Sequence, residues 1–152
     1  MTSYEAPLGD MRFLFQDMGV LETVNRLEGL EEATPDLVNA ILEEADKLAR
    51  ERLAPFNRAA DRAGGAHYEN GVVHTPQGWS EAYDAFVAGG WNAVPFEPAY
   101  GGQGLPWLVA IALQEIWQSA NMSWALCPLL TQGAVELLTA HGSEAQKTTW
   151  LP

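Results

Sequence analysis

Pro95-Phe96-Glu97-Pro98-Ala99-Tyr100-Gly101-Gly102-Gln103-Gly104-Leu105-Pro106 is the stretch on which the reading of this chain turns. Its three closely spaced glycines supply positive φ or close backbone approach without a steric penalty. Pro106 then suits the first turn of a helix, where the missing N–H is not needed. Trp107, Leu108, Val109, Ala110, Ile111, Ala112 and Leu113 follow, so the loop delivers the chain into a helix covered by protein on most sides. A glycine-rich loop between helices is first of all turn chemistry. A phosphate cradle would need Gly-x-Gly-x-x-Gly after a strand, or a following Lys-Ser/Thr, and Gly101, Gly102 and Gly104 meet neither pattern.

Downstream, the Pro106 helix is expected to run to about Asn121, turning polar at Gln114, Glu115, Gln118 and Ser119. Ser123 is the expected cap of a second helix, Trp124 to His141, lying beside the first and carrying Pro128 in its opening turns. Thr131-Gln132-Gly133 puts small and polar groups midway along it, a place where another group can approach the backbone. Gly142 ends it, and Ser143-Glu144-Ala145-Gln146 forms a capping box for a further helix. The chain stops at Leu151-Pro152, fewer than about three turns later, and so reads as a domain truncated at its C-terminal end.

Upstream, Thr34-Pro35-Asp36 is a helix start, and Leu37, Val38, Ile41, Leu42, Ala45, Leu48, Ala49 and Leu53 repeat at helical spacing. Pro55 is expected to end this helix at about Leu53. Glu43 and Glu44 diverge by about 100° on a helix and read as a solvated face, not as an acid–base pair. Tyr68-Glu69-Asn70-Gly71-Val72-Val73 carries an Asn-Gly turn signal, but the flanking pieces are too short for an independent hairpin and read as an ordered loop. His67 and His74 flank it, and two histidines without a third ligand at suitable spacing make no metal site. Thr75-Pro76 repeats the cap-plus-proline signature, with Trp79, Tyr83, Phe86 and Val87 as an aromatic core stripe ended by Gly89-Gly90; Trp91 to Phe96 then runs extended into the loop. Near the start, Asp10 is the expected cap of a short helix with Met11, Leu14, Phe15 and Met18 on one face, preceded by an extended arm from Tyr4 to Pro7. The fold expected is all-α, five to six helices in orthogonal or bundle-like packing, with residues 1–33 as arm and short helix and 34–152 as the domain proper.

The 152 residues suit one domain, and 47% apolar with 18% charged residues describes a folded globular chain. A net charge of −12 argues against binding a nucleic-acid backbone, which needs Lys and Arg. Six Trp and five Phe are many for this length, and some are expected at interfaces. One cysteine, Cys127, excludes an internal disulfide framework and reads as a small buried hydrophobe. The start has no basic n-region or apolar h-region, so no secretory signal is expected, and the expected location is the cytoplasm. The longest apolar run, Trp107 to Leu113, is too short to span a bilayer.

Two anchors then carry a resemblance. Pro95-…-Tyr100-Gly101-Gly102-Gln103-Gly104-Leu105 and His141-Gly142-Ser143-Glu144-Ala145-Gln146-Lys147-…-Leu151-Pro152 resemble the P-x-x-Y-G-G-x-G loop and the G-S-E-E-Q-K-x-x-x-L-P segment of the acyl-CoA dehydrogenases, at the family's interval. Glu115 also falls where the family usually carries Glu. The arm Tyr4-…-Met11-Arg12-Phe13 and the run Pro55-Phe56-Asn57 to Gly78-Trp79 are similar to one bacterial branch, which includes 3-methylmercaptopropionyl-CoA and long-chain acyl-CoA dehydrogenases. The resemblance implies the N-terminal helical domain of an FAD flavoprotein of fatty-acid metabolism, an oxidoreductase that converts acyl-CoA to trans-2-enoyl-CoA. It implies missing middle and C-terminal domains, which hold most FAD contacts and the catalytic base, and a homo-oligomer when complete. No catalytic residue is therefore assigned here: Glu97, Glu115, Glu136 and Glu144 are not carried over to that role. The family's acyl-facing positions fall on Leu126, Leu129, Leu130 and Gly133, which share one helical face. The alternative is a stand-alone, non-catalytic helical interaction module, which a native stop after Pro152 would favour.

Overall fold

The computed structural model describes residues 4–152, so the first three residues of the arm lie outside the described range. The chain is all-α apart from one small hairpin. In order come α1 (Leu8–Arg12), running on through a π turn (Phe13–Asp17); α2 (Val20–Val24); α3 (Pro35–Leu48), passing through a second π turn (Ala49–Leu53) into α4 (Ala54–Arg62); β1 (His67–Glu69) and β2 (Val72–His74); α5 (Trp79–Ala88); α6 (Trp107–His141); and α7 (Glu144–Trp150). Counting α3 and α4 as one rod leaves six α-helical pieces among the described residues, besides a short 3-10 turn at Pro98–Tyr100, within the number the periodicity predicts.

Local cap chemistry places several boundaries. Thr34 accepts from the Leu37 N–H (3.3 Å) with Pro35 in the first turn. Ser143 accepts from the Gln146 N–H (3.3 Å), while Gln146 Oε1 accepts from the Ser143 N–H (2.9 Å). Three expected starts move. Thr75 caps nothing; α5 begins at Trp79 behind Gly78, held at φ 92°. Asp10 lies inside α1, whose N-cap is Pro7. Pro106 is itself the N-cap of α6, one residue ahead of the expected position.

Pro55 does not stop its helix. Its ring would clash with a carbonyl one turn back, and the chain absorbs this by widening to a π turn before α4 continues to Arg62. The two helices expected around residues 106–141 are joined end to end in α6, not side by side, through a kink at Asn121 (φ −159°, ψ 87°). The cap is Asn121, not Ser123: Asn121 Oδ1 accepts from the Trp124 N–H (3.2 Å) and from the Ser123 hydroxyl (2.9 Å). In an unbroken helix the Trp124 N–H would seek the Ala120 carbonyl. That carbonyl instead accepts from the Asn57 side-chain amide (3.2 Å), and the Asn121 amide donates to the Leu53 carbonyl (3.1 Å). The two helix irregularities, at Leu53–Pro55 and at Asn121, thus face and satisfy each other.

The core lies between α3–α4, α5 and the first limb of α6. Leu42, Leu53, Val109 and Ile116 have no exposed surface, and Phe86 packs edge-on against Trp117 (5.8 Å) and Trp124 (5.3 Å). The face of α5 that enters this core is Ala82 and Phe86; Tyr83 and Val87, expected there, are exposed because the helix is covered on one side only. Leu14 and Met18 are likewise exposed, the π turn having rotated them off the Met11–Phe15 face. The arm docks. The Tyr4 hydroxyl donates to the Ile116 carbonyl (3.0 Å), and the Ala6 N–H donates to buried Asp46 (2.8 Å). No helix among the described residues is long and apolar enough to cross a membrane.

Candidate functional site

The glycine loop is a folded turn. Trp91 to Phe96 is a succession of turns and not the extended run expected, because the loop folds back on it. Gln103, Gly104 and Leu105 donate their N–H groups to the carbonyls of Ala93 (2.9 Å), Phe96 (2.9 Å) and Val94 (3.0 Å). Gly101 and Gly102 donate to Pro98 (3.1 Å) and Glu97 (3.0 Å). At Gly102 an added Cβ would collide with the Phe96 carbonyl, so only glycine fits. Every amide from Gly101 to Leu105 is thereby committed inside the protein, and none remains to cradle a phosphate.

Between this loop and the second limb of α6 lies a cleft of about 200 Å³. Phe96, Tyr100 and Gly102 form one side, Thr131, Val135 and Thr139 the other, with Leu151 and Pro152 at one end. Thr131, Val135 and Thr139 were missed as a group by the sequence reading; their spacing of four was the available signal.

The four residues singled out from the sequence line a different face. Leu126 and Leu130 are exposed (48% and 76%), Gly133 is exposed and Leu129 is half-buried. With Met122 and Leu137, also exposed, Leu126, Leu130 and Gly133 form one stripe with spacings of four, four, three and four. At about 100° per residue the centre of the stripe lies roughly opposite Thr131, Val135 and Thr139, on the far side of the helix from the cleft. The buried side of this limb is Trp124, Ala125 and Pro128. Leu126 and Leu130 are therefore not core residues of this chain. Beyond its chain neighbours and its own helix backbone, no atom lies within 4 Å of where a Cβ on Gly133 would sit, so among the described residues nothing makes the close approach that its glycine suggested. Cys127, expected to be buried, is exposed because it too lies off that buried side.

Few side chains outside this region are arranged for chemistry. Among the described residues, Tyr4 is the titratable group whose pKa is moved by its surroundings. Burial raises its phenol above 10.0, the Ser119 hydrogen bond pulls it back down, and the charges of Asp46 and Glu115 raise it further. On the hairpin, one ligand atom each from His67, Glu69 and His74 lie within 4.8 Å of one another. The sequence reading missed Glu69 in this role because it read the segment as a loop and used no strand register.

Residues 36–152 match the family described as acyl-CoA dehydrogenase, N-terminal domain. The chain belongs to this family. A curated relative, 3-methylmercaptopropionyl-CoA dehydrogenase of Ruegeria pomeroyi (strain ATCC 700808 / DSM 15171 / DSS-3), is 40% identical over 149 residues. That match takes in 98% of this chain, so the docked arm is shared territory, but it spans only 25% of the relative's length. For an acyl-CoA dehydrogenase N-terminal domain, an exposed leucine stripe on a helix whose other side is core is the feature that needs explaining.

Proposed function

We propose that this chain serves as the N-terminal helical domain of an FAD-dependent acyl-CoA dehydrogenase, an enzyme that desaturates an acyl-CoA thioester to the trans-2-enoyl-CoA. In that reading Leu126, Leu129, Leu130 and Gly133 form one wall of the acyl pocket. The observation that carries it is the stripe Met122–Leu126–Leu130–Leu137, apolar and turned to solvent along a well-formed helix, with Gly133 leaving a gap in it. An alkyl chain wants such a wall: apolar, with a notch and without donors of its own. Arm and short helix (1–33) and helical domain (34–152) act together here through Tyr4 and Asp46.

The residues of this chain do not by themselves fit FAD. A diphosphate needs free amide or cationic donors, and the glycine-loop amides are already used. The cleft of about 200 Å³ is also small beside the roughly 300–1,000 Å³ of ordinary ligand pockets. No catalytic step is therefore derived from this chain. The flavin, the base and the CoA diphosphate are assigned to middle and C-terminal domains, with which this domain would assemble in a homo-oligomer.

The test is Leu130→Trp in an enzyme carrying this domain. The substitution should fill the pocket and penalise longer acyl chains, each excluded methylene forfeiting about 0.8 kcal/mol of burial. The assay is kcat/KM across acyl-CoA lengths, with 3-methylmercaptopropionyl-CoA, the substrate in the relative's name, included. Because Leu130 is 76% exposed, the melting temperature of the isolated chain should not fall. An equal loss for every chain length would refute the pocket assignment.

A further inference from the structure

The hairpin between α4 and α5 carries chemistry that the acyl-CoA dehydrogenase reading does not use. Asn70 (φ 51°) and Gly71 (φ 85°) both adopt left-handed backbone, the two-residue turn whose twist matches paired strands. That turn fixes the register: Glu69 opposite Val72, Tyr68 opposite Val73, His67 opposite His74. Side chains alternate along a strand, so His67, Glu69, Val72 and His74 share one face, while Tyr68 and Val73 take the other. The two imidazoles stack with centroids 5.0 Å apart and planes at 19°.

We propose that this face binds a borderline divalent cation, Zn²⁺ being the type, through a ring nitrogen each of His67 and His74 and a carboxylate oxygen of Glu69. The donor atoms already lie within 4.8 Å of one another. Tetrahedral zinc with bonds of about 2.0–2.2 Å sets its donors roughly 3.3–3.6 Å apart. All three side chains are exposed, so rotation about their side-chain bonds closes that gap without disturbing a packed neighbour. Two nitrogen donors select Zn²⁺, Ni²⁺ or Cu²⁺ over the hard ions Mg²⁺ and Ca²⁺, which take oxygen. Three protein ligands leave a position open to water. The ion also ties β1 to β2, and strands of three residues are marginal without such help.

The test uses the whole 152-residue chain, freed of metal by chelation and titrated with Zn²⁺ alone. The readouts are calorimetry and the imidazole signals in long-range nitrogen–proton NMR. The expected result is one Zn²⁺ per chain, with His67 and His74 shifting together and His141, on the far side of the sequence, unmoved. His67→Ala with His74→Ala should weaken binding by more than about tenfold, since even groups behind a metal ligand are worth roughly 10–100-fold. Glu69→Gln should weaken it less, and Mg²⁺ should not compete. The chain's net charge of −12 attracts cations generally, so the discriminating outcome is residue-specific. Zn²⁺ uptake that leaves both imidazole signals in place, or that survives in the double variant at equal affinity, overturns the proposal. Both variants alter exposed side chains, and unchanged far-ultraviolet circular dichroism will confirm that they fold.

Discussion

Replacing Asn121 by Ala should destabilise this chain more than any comparable change on the polar side of α6. The side chain has no exposed surface and makes three hydrogen bonds: to the Trp124 N–H (3.2 Å), the Ser123 hydroxyl (2.9 Å) and the Leu53 carbonyl (3.1 Å). Loss of the cap is worth about 1 kcal/mol, with a range of 0.5–2. Loss of the buried amide donor to Leu53 adds about 1 kcal/mol, and more if the vacated site does not collapse. The sum is about 2–3 kcal/mol, a large part of the roughly 5–15 kcal/mol that holds a domain folded. At this length each kcal/mol moves the midpoint by roughly 2–4 °C, so the melting temperature should drop by roughly 4–12 °C. The assay is thermal and urea unfolding followed by circular dichroism and by the fluorescence of the buried tryptophans. Ser123→Ala is the internal comparison: Ser123 is exposed and only donates to Asn121, so its loss should stay within about 0.5 kcal/mol. A drop below about 2 °C for Asn121→Ala, or an equal drop for Ser123→Ala, would refute the assignment of Asn121 as cap and bridge.

Gly133→Ala should stabilise the isolated chain by about 1 kcal/mol, because the site is open and helix propensity decides; a loss of stability on unfolding would mean that the helix is not as described. In an enzyme carrying the domain the same change should raise KM for long acyl-CoA, if the gap in the stripe admits the chain. Tyr4→Phe should cost about 1 kcal/mol at neutral pH, through the lost bonds to Ile116 and Ser119. Because burial above all raises the Tyr4 phenol, its contribution is fully present below pH 10.0 and fades as pH climbs through the folded-state value. Unfolding curves of the two proteins should therefore converge in alkali, and parallel curves would count against the docked arm. The isolated chain should self-associate through its leucine stripe, and Leu126→Glu with Leu130→Glu should abolish this; sedimentation that shows a monomer for both proteins would disprove it.

What could be read from the sequence was chemistry that closes within a turn. Thr34 and Ser143 cap helices through groups three residues away, and the box around Ser143 has no other partner to consult. The Asn70-Gly71 turn was visible for the same reason, although pairing beyond it was not granted to strands so short. What stayed hidden needed partners distant in the chain. Asn121 and Leu53 are 68 residues apart, and nothing local says that a break in one helix will be met by the break that Pro55 makes in another. Ser123 is as good a cap by local chemistry as Asn121, but it loses because Asn121 can cap and reach Leu53 at once.

The stripe on α6 shows the same limit from the other side. Spacing at 126, 130, 133 and 137 proves that these residues share a face, but periodicity is blind to what covers that face. Trp124, Ala125 and Pro128 supply this limb's buried side, so the core is already satisfied without the leucines. Anything that covers the stripe would then come from outside the described residues. A fully exposed side chain the size of Leu forgoes about 1.5–3 kcal/mol of burial. Met122, Leu126, Leu130 and Leu137 together leave apolar surface that another domain or an acyl chain can cover, whereas one of these residues alone would be ordinary surface. Gly133 bears on both covers: a bare helix position lets another domain approach closely, and it also leaves the groove that the proposed acyl wall would offer to an alkyl chain.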